Sequence, residues 1–465
     1  MSHKLKAIGI WALVIACSVG AFHAGEAIRG LRGSARTPKK VSMQASALLK
    51  LTPESAPISV ETAKQTAGED RDLVTSVLRA LKSAYVEPIT KEKETAMARG
   101  AVRGMIDSLN DPDSRFLDPA ERKLLDDAGS GRFHGIGAVI ALKKDKIGEL
   151  DETKVLVISP MPGSPAEKAG LRAGDSITYV DGKWVITHDP FAEAHLKQLA
   201  NSVRNGDLDA LSYQKAYDAA VKKLKDGMSI LDALDSITSK SSGEISLKVQ
   251  RSGEEKPLDF KIRCRMTAVA PVISLPIKDR TAYIRITQFN KYTSVQFSAA
   301  WNRALASHAK GLILDLRNNA GGLMSVATDI TARLEGGGVV ANIESAAKVR
   351  RAIREPRTRG AGIPIVVLVN EGTASVAELV AGTLKEKGAV LVGRRTFGDG
   401  LVQTPLLLKD GSAAIVTTGK MLTAGGLDFD GKGLVPDKEI RQSGSQTDAQ
   451  LEEATKILQS KIGKA

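Results

Sequence analysis

The sequence predicts an α/β chain, in the broad sense of an α+β multidomain protein, and three observations carry that expectation. Gly311 to Leu316 and Ile363 to Val369 are continuous apolar runs of the buried, parallel-strand kind, and each ends in a polar, small-residue turn followed by a helix-like segment. Between Ala138 and Val180, strand-like stretches alternate with glycine turns. Ahead of both, Leu73, Val77, Leu78, Leu81 and Tyr85 recur at three- and four-residue spacing, the period of a helix.

The bulk numbers suit such a chain. Its 465 residues suffice for several domains and a large core, and 42% hydrophobic with 26% charged residues is an ordinary globular balance. Cys17 and Cys264 are the two cysteines. Cys17 sits in the leading apolar segment, so neither a disulfide framework nor a cysteine metal site is expected. The six histidines form no HExxH-like pair, so no metal site and no cofactor are expected. The net charge of +13 gathers at Arg29, Arg32, Arg36, Lys39 and Lys40, and again at Lys348, Arg350, Arg351, Arg354, Arg357 and Arg359. No aromatic residues interleave either group, so both read as solvated tail or loop charge and no nucleic acid is expected.

In chain order, Lys4 and Lys6 precede an apolar run from Ala7 to Phe22. Residues 1–30 thus read as a signal peptide or short membrane anchor, with Val14-Ile15-Ala16-Cys17 offering a lipoprotein-type cleavage site as the second choice. This predicts export to a bacterial periplasm or cell envelope, inner-membrane anchored or secreted. Residues 31–69, rich in Ser, Ala, Lys, Thr and Pro, read as a linker, and 70–130 as a helical N-terminal domain. Its second helix carries Ala98, Ala101, Val102, Met105, Ile106 and Leu109; Asp111-Pro112-Asp113-Ser114 is a turn, and Pro119 to Asp127 a short helix.

Strands are expected at Ala138–Leu142, Lys154–Ile158 and Ser176–Val180. In Gly163-Ser164-Pro165-Ala166-Glu167, Ser164 can cap a short helix, with Pro165 at its first position and Glu167 closing a capping box. Gly170 ends that helix, and Asp181-Gly182 is a hairpin signal. Residues 131–270 resemble a PDZ domain on these motifs. The resemblance implies capture of a peptide C-terminus as an added strand, its carboxylate held by the loop His134, Gly135, Ile136 and Gly137. A helical insertion at about 190–225 interrupts the domain: Phe191, His195, Leu196 and Leu199, then Tyr213, Ala216, Tyr217, Ala220 and Leu224.

From 271 to 445 the alternation is strand and helix, and 446–465 close the chain as an amphipathic helix. Ile363–Val369, then Asn370-Glu371-Gly372-Thr373-Ala374-Ser375, then a helix from Val376, is a way of presenting a nucleophile: the turn holds out the hydroxyl and the helix start offers free N–H groups. The order of helical, PDZ and core segments resembles the carboxyl-terminal processing peptidases, or tail-specific proteases. So do Tyr283-Ile284-Arg285-Ile286, Asp315-Leu316-Arg317-Asn318-Asn319, Asn370-Glu371-Gly372 and Gly431 to Asp437. The resemblance covers roughly residues 70 to 440. It implies a crotonase- or Clp-protease-like β/α core and a serine endopeptidase with Ser375 as nucleophile. It also implies an oxyanion hole from Val376 and Gly321 or Gly322, and Gln403 orienting the base.

The base departs from the pattern. The resemblance implies a lysine where this chain has Gly398-Asp399-Gly400, and the chain from Ser375 to Asp399 is about one residue shorter than it implies. A desolvated lysine can take a proton from serine, whereas a carboxylate near pKa ~3.9 is a weak base. Lys385 and Lys387 lie along the helix, roughly 15 Å or more from Ser375, and Lys420 reads as structural. Two readings follow. One is an endopeptidase that binds protein or peptide C-terminal tails of exported proteins. The other is a catalytically impaired pseudopeptidase that captures tails or acts as an adaptor. Membrane association through the N-terminal segment and a homo-oligomer are further partner expectations.

Overall fold

The computed structural model describes residues 69–463 except 110, 112, 148–149, 187–200, 208, 240–241 and 442–447. The expected signal or anchor, the linker up to residue 68, and Phe191, His195, Leu196 and Leu199 lie outside the described residues.

Helices α1 (Glu69–Ala84) and α2 (Lys91–Asp107) open the described chain, joined by a Lys82–Glu94 ion pair of 2.7 Å. The apolar stripe that predicts α1 does not face a core: Leu73, Val77, Leu81 and Tyr85 are all exposed among the described residues. The segment read as a helical domain also holds a strand, β1 (Arg115–Leu117), just after the expected turn. It pairs antiparallel with a strand some 300 residues later, Arg115 opposite Ile415. Helix α3 (Pro119–Gly129) follows, with Pro119 in its first turn and a capping box between Asp118 and Glu121.

The PDZ-like segment starts at β2 (Arg132–Phe133) and the long hairpin β3 (Ala138–Ile147) and β4 (Leu150–Pro160). Ser164 caps the short helix α4 (Pro165–Ala169) by accepting from the Glu167 N–H. The Glu167 carboxylate accepts from Gly163 N–H at 2.6 Å and not from Ser164, so the expected box closes one residue early. Strands β5 (Ser176–Val180) and β6 (Lys183–Val185) turn at Asp181 and Gly182, both with positive φ, as a two-residue hairpin requires. Residues 201–205 are helical, and α5 (Ala210–Lys225) stacks Tyr213 on Tyr217. Strand β7 (Gly227–Met228), helix α6 (Ile230–Thr238) and strands β8 (Glu244–Gln250), β9 (Leu258–Arg263) and β10 (Thr267–Ala268) complete the segment.

The core has two sheets. One runs β11-β12-β13-β16-β17-β20, built from β11 (Val272–Lys278), β12 (Thr281–Ile286), β13 (Gly311–Asp315), β16 (Ile365–Val369), β17 (Val390–Gly393) and β20 (Lys438–Glu439). All but β11 are parallel to their neighbours. The other joins β1, β14 (Gly338–Glu344), β15 (Arg350–Glu355), β18 (Leu401–Leu407) and β19 (Ala413–Leu422). Half of the basic group 348–359, read as loop charge, thus falls on edge strand β15: Arg350, Arg351 and Arg354. Helices α7 (Thr293–Ala306), α8 (Met324–Glu335) and α9 (Val376–Glu386) fill the main core with Phe289, Phe297, Leu314, Ile330, Val380 and Met421. Helix α10 (Ala449–Ile462) covers the opposite face of the parallel sheet through Ala454 and Leu458.

Every residue of β13 and β16 is buried, which is why both read as unbroken apolar runs. An ionic brace ties α10 to the end of β13. Arg317 donates to both oxygens of buried Asp315 and to both oxygens of Asp448, the N-cap of α10. Burial alone would lower the Arg317 pKa; the hydrogen bonds to Asp315 and Asp448 carry it upward instead. Arg317→Ala leaves Asp315 buried with only the Tyr283 hydroxyl and the backbone N–H of residue 317, and should cost roughly 3 kcal/mol or more in urea denaturation.

Candidate active site

Strands β13, β16 and β17 run parallel and in register, so the loops that follow them emerge at one edge of the sheet. That edge, beyond the carboxyl ends of parallel strands, is where such sheets build sites. The loops are sewn together. Asn318 N–H donates to Asn370 Oδ1 and Asn370 Nδ2 to Asn318 Oδ1, each at 2.8 Å. Thr373 Oγ1 donates to Leu316 O at 2.9 Å, Ala374 N–H to Asn319 O at 2.9 Å, and Phe397 N–H to Thr373 O at 3.0 Å.

Ser375 ends the middle loop as the N-cap of α9 with φ 57° and ψ −129°. A non-glycine residue rarely adopts that backbone, and the bonds above hold it there. Ser375 is fully buried, and its hydroxyl has no hydrogen-bond partner among the described residues. Its N–H donates to Glu378 Oε2 at 3.1 Å.

Glu378 is the residue that the sequence reading missed. Its Oε1 accepts from the Thr396 hydroxyl and from Gly398 N–H at 2.8 Å; its Oε2 accepts from Ser375 N–H and from Asp399 N–H at 2.8 Å. One buried carboxylate therefore clasps the serine turn and the 396–400 loop. Burial pushes its pKa up to about 8, against the pull of those hydrogen bonds and with a further push from Asp399. The serine three residues before a glutamate at a helix start is the capping-box spacing, and that was the available signal.

Gly321 lies against this turn, and Gly322 against the backbone of Phe289. A Cβ on Gly321 would stand 2.8 Å from Ser375 Cβ, and one on Gly322 2.1 Å from Phe289 O, with φ +103° and +140°. Both positions require glycine. The two differ in what their N–H groups do. Gly321 donates to Asn319 Oδ1 at 2.9 Å. Gly322 and Val376, by contrast, have no N–H acceptor among the described residues.

Asp399 is 5% exposed on a loop pinned by backbone groups: its own N–H and that of Gly398 to Glu378, Gly431 N–H to Gly398 O at 2.9 Å, and Gly400 N–H to Asp430 Oδ1 at 3.2 Å. Gln403 is buried on β18 and donates to Thr417 Oγ1 at 2.8 Å. Thr417 N–H in turn donates to Ser114 Oγ at 3.0 Å, so the Asp111–Ser114 turn reaches the strand beside Gln403. The lysines are committed elsewhere. Lys420 pairs with Asp430 and Asp428, which outweigh burial and raise its pKa, and Lys385 pairs with Asp437.

The PDZ-like segment touches the site directly: Ser159, at the end of β4, donates its hydroxyl to Asn318 O at 2.6 Å. In its glycine loop, Ile136 N–H donates to Ile237 O at 3.1 Å, while the N–H groups of Gly135 and Gly137 have no backbone acceptor among the described residues. His134 Nε2 lies 3.4 Å from Asp127 of α3, so the histidine joins the loop to the helical segment.

Comparison with known proteins agrees with this arrangement. Peptidase family S41 matches residues 280–440, and the PDZ domain matches residues 156–197. The carboxy-terminal processing protease CtpA of Bacillus subtilis (strain 168) is 32% identical over 394 residues, 84% of this chain and 73% of that protein. A probable CtpA-like serine protease of Staphylococcus aureus (strain MRSA252) is 33% identical over 372 residues, 79% of this chain and 64% of the relative, so the chain spans just under two thirds of that protein's length. Among solved structures, the photosystem II D1 C-terminal processing protease superposes with a TM-score of 0.58 at 27% identity, covering 84% of this chain and 97% of that one. The strained serine turn on a parallel sheet and a relative matched over most of both chains lead to one assignment: this chain belongs to peptidase family S41, among the carboxy-terminal processing serine proteases.

Proposed function

We propose that the protein is a serine endopeptidase that takes C-terminal tails of exported proteins into its PDZ groove and cleaves them with Ser375, slowly, because Asp399 stands where a lysine base belongs. The observation that carries this reading is the Ser375 turn itself. The hydroxyl is held on a strained N-cap next to the Val376 N–H, and Gly321 packs on it; the N–H groups of Val376 and of the next glycine, Gly322, have no acceptor among the described residues. Attack of Ser375 Oγ on a scissile carbonyl would place the developing oxyanion between those donors. The serine proton passes to the base position and then to the leaving amine, and water hydrolyses the acyl-enzyme. The tail carboxylate would sit on the N–H groups of Gly135 and Gly137, with His134 and Ile136 shaping that loop. Gln403 supports the base from β18. The apolar run Ala7–Phe22 behind Lys4 and Lys6 supports a periplasmic or envelope location, anchored or secreted.

A fluorophosphonate should label the protein at Ser375, and Ser375→Ala should abolish both labelling and cleavage of a substrate with an apolar C-terminal tail. Cleavage surviving in Ser375→Ala would sink the assignment. A second reading is favoured by one observation, the carboxylate at 399: a pseudopeptidase that binds tails without cutting them. Tail-peptide binding with no Ser375 labelling at any pH would establish it.

A further inference from the structure

A cavity of about 660 Å³ opens at the far ends of the two helices whose near ends build the Ser375 site. Helix α8 leaves the Gly321-Gly322 loop and ends there at Glu335; helix α9 starts at Ser375 and ends there at Glu386 and Lys387. The remaining wall is Arg354 on edge strand β15 and the loop carrying Arg357 and Arg359. That loop is fixed. Thr358 donates its N–H to Gly336 O at 2.9 Å and its hydroxyl to Ala332 O at 3.2 Å, and Ala361 N–H donates to Leu334 O at 2.8 Å.

The charges do not balance. Arg354, Arg357, Arg359 and Lys387 face two carboxylates. Glu386 is occupied, accepting from Gly425 N–H at 2.6 Å and from the Thr423 hydroxyl. Glu335 is half-buried, and burial pushes its pKa up to about 7 against the pull of Lys387. Among the described residues, none of the three guanidinium groups has an ion-pair or hydrogen-bond partner. The simplest structural use of these cations is to offset the helix C-termini. Each terminus presents about half a negative charge, so the two together cancel about one of the two excess positive charges. The lining stays cationic.

We propose that this cavity binds a phosphate-bearing anion through Arg354, Arg357 and Arg359. Guanidinium forks match phosphate oxygens in paired hydrogen bonds, and three on fixed backbone suit a group with more than one phosphate face. The space exceeds what a single carboxylate needs. The ligand is either a soluble oligophosphate or a phosphomonoester headgroup of a lipid, and the site does not depend on the chemistry at Ser375.

The test is calorimetric titration of the full chain with sodium tripolyphosphate at fixed ionic strength, alongside sedimentation with phosphatidylcholine vesicles containing phosphatidic acid. Two double variants remove the same charge. Arg357→Ala with Arg359→Ala strips the cavity; Lys348→Ala with Arg350→Ala strips the same arm where its cations already pair with Glu344. Saturable tripolyphosphate binding should weaken about tenfold or more in the first double variant and less than about twofold in the second. Glu335→Gln should tighten it. Loss in the first variant of tripolyphosphate binding alone assigns a soluble ligand; parallel loss of vesicle binding, or of vesicle binding alone, assigns the lipid headgroup. No saturable binding of either probe, or equal weakening in both double variants, overturns the proposal.

Discussion

Asp399→Lys is expected to raise the rate of Ser375 labelling by a fluorophosphonate, and of tail-peptide cleavage, by about two orders of magnitude. A positioned base contributes on that scale, and a desolvated amine is a base at neutral pH where an ordinary carboxylate is not. The surrounding loop should tolerate the change. Backbone N–H bonds from residues 398, 399, 400 and 431 hold it in place. Ser375→Ala in the same background should erase the gain. A folded Asp399→Lys protein with unchanged labelling would show that the shorter path from Ser375 keeps the new amine out of reach.

Glu378→Ala is expected to cost roughly 3 kcal/mol or more in urea denaturation and to remove Ser375 reactivity, because it strands three backbone N–H groups and the Thr396 hydroxyl in a buried place. The pH dependence gives an independent readout. The folded pKa stands at about 8, above the ordinary 4.5, so the folded state holds the proton more tightly than the unfolded chain. The resulting stabilisation is complete below pH 4.5 and is lost as pH rises through about 8, a span worth roughly 5 kcal/mol. Thr396 is the partner that can accommodate the proton, since a hydroxyl can turn from donor to acceptor and an N–H cannot. Glu378→Gln should flatten the alkaline fall seen in melts at pH 5, 7 and 9; an unchanged slope would assign the fall to other groups. Asp399→Lys should reduce the same fall, because it removes the negative charge that helps push Glu378 upward.

The parts of the fold that follow from local pattern were legible. The apolar runs at 311–316 and 363–369, the glycine turns and the helix from Val376 each carry a short-range signature, and the Ser375 turn could be read from it. What could not be read is long-range partnership. Nothing near Asp111–Ser114 announces that Ser114 will receive Thr417 N–H. Nothing near Gly321 shows that Asn319 takes its N–H, which moves the open donor to Gly322. Amphipathic spacing predicted α1 correctly as a helix, but periodicity cannot say whether the apolar face meets a core, and Leu73, Val77 and Leu81 are exposed. The 348–359 cations looked like loop charge because arginines on an edge strand carry no strand-like alternation of buried residues.

The Arg317 brace and the Ser114 contact also set a timetable. The loop bearing Gly321 and Gly322 is tied to a residue 131 positions later, and the strand beside Gln403 is tied to a turn 303 positions earlier. At ribosomal speeds of about 5–20 residues per second, Arg317 waits on the order of ten seconds for Asp448 to be made. During that interval the nascent chain already holds Ser375 but lacks the α10 clamp that fixes the neighbouring loop. The Ser375 turn is therefore among the last features to mature, and a chain cut short before Asp448 leaves that serine without its finished setting.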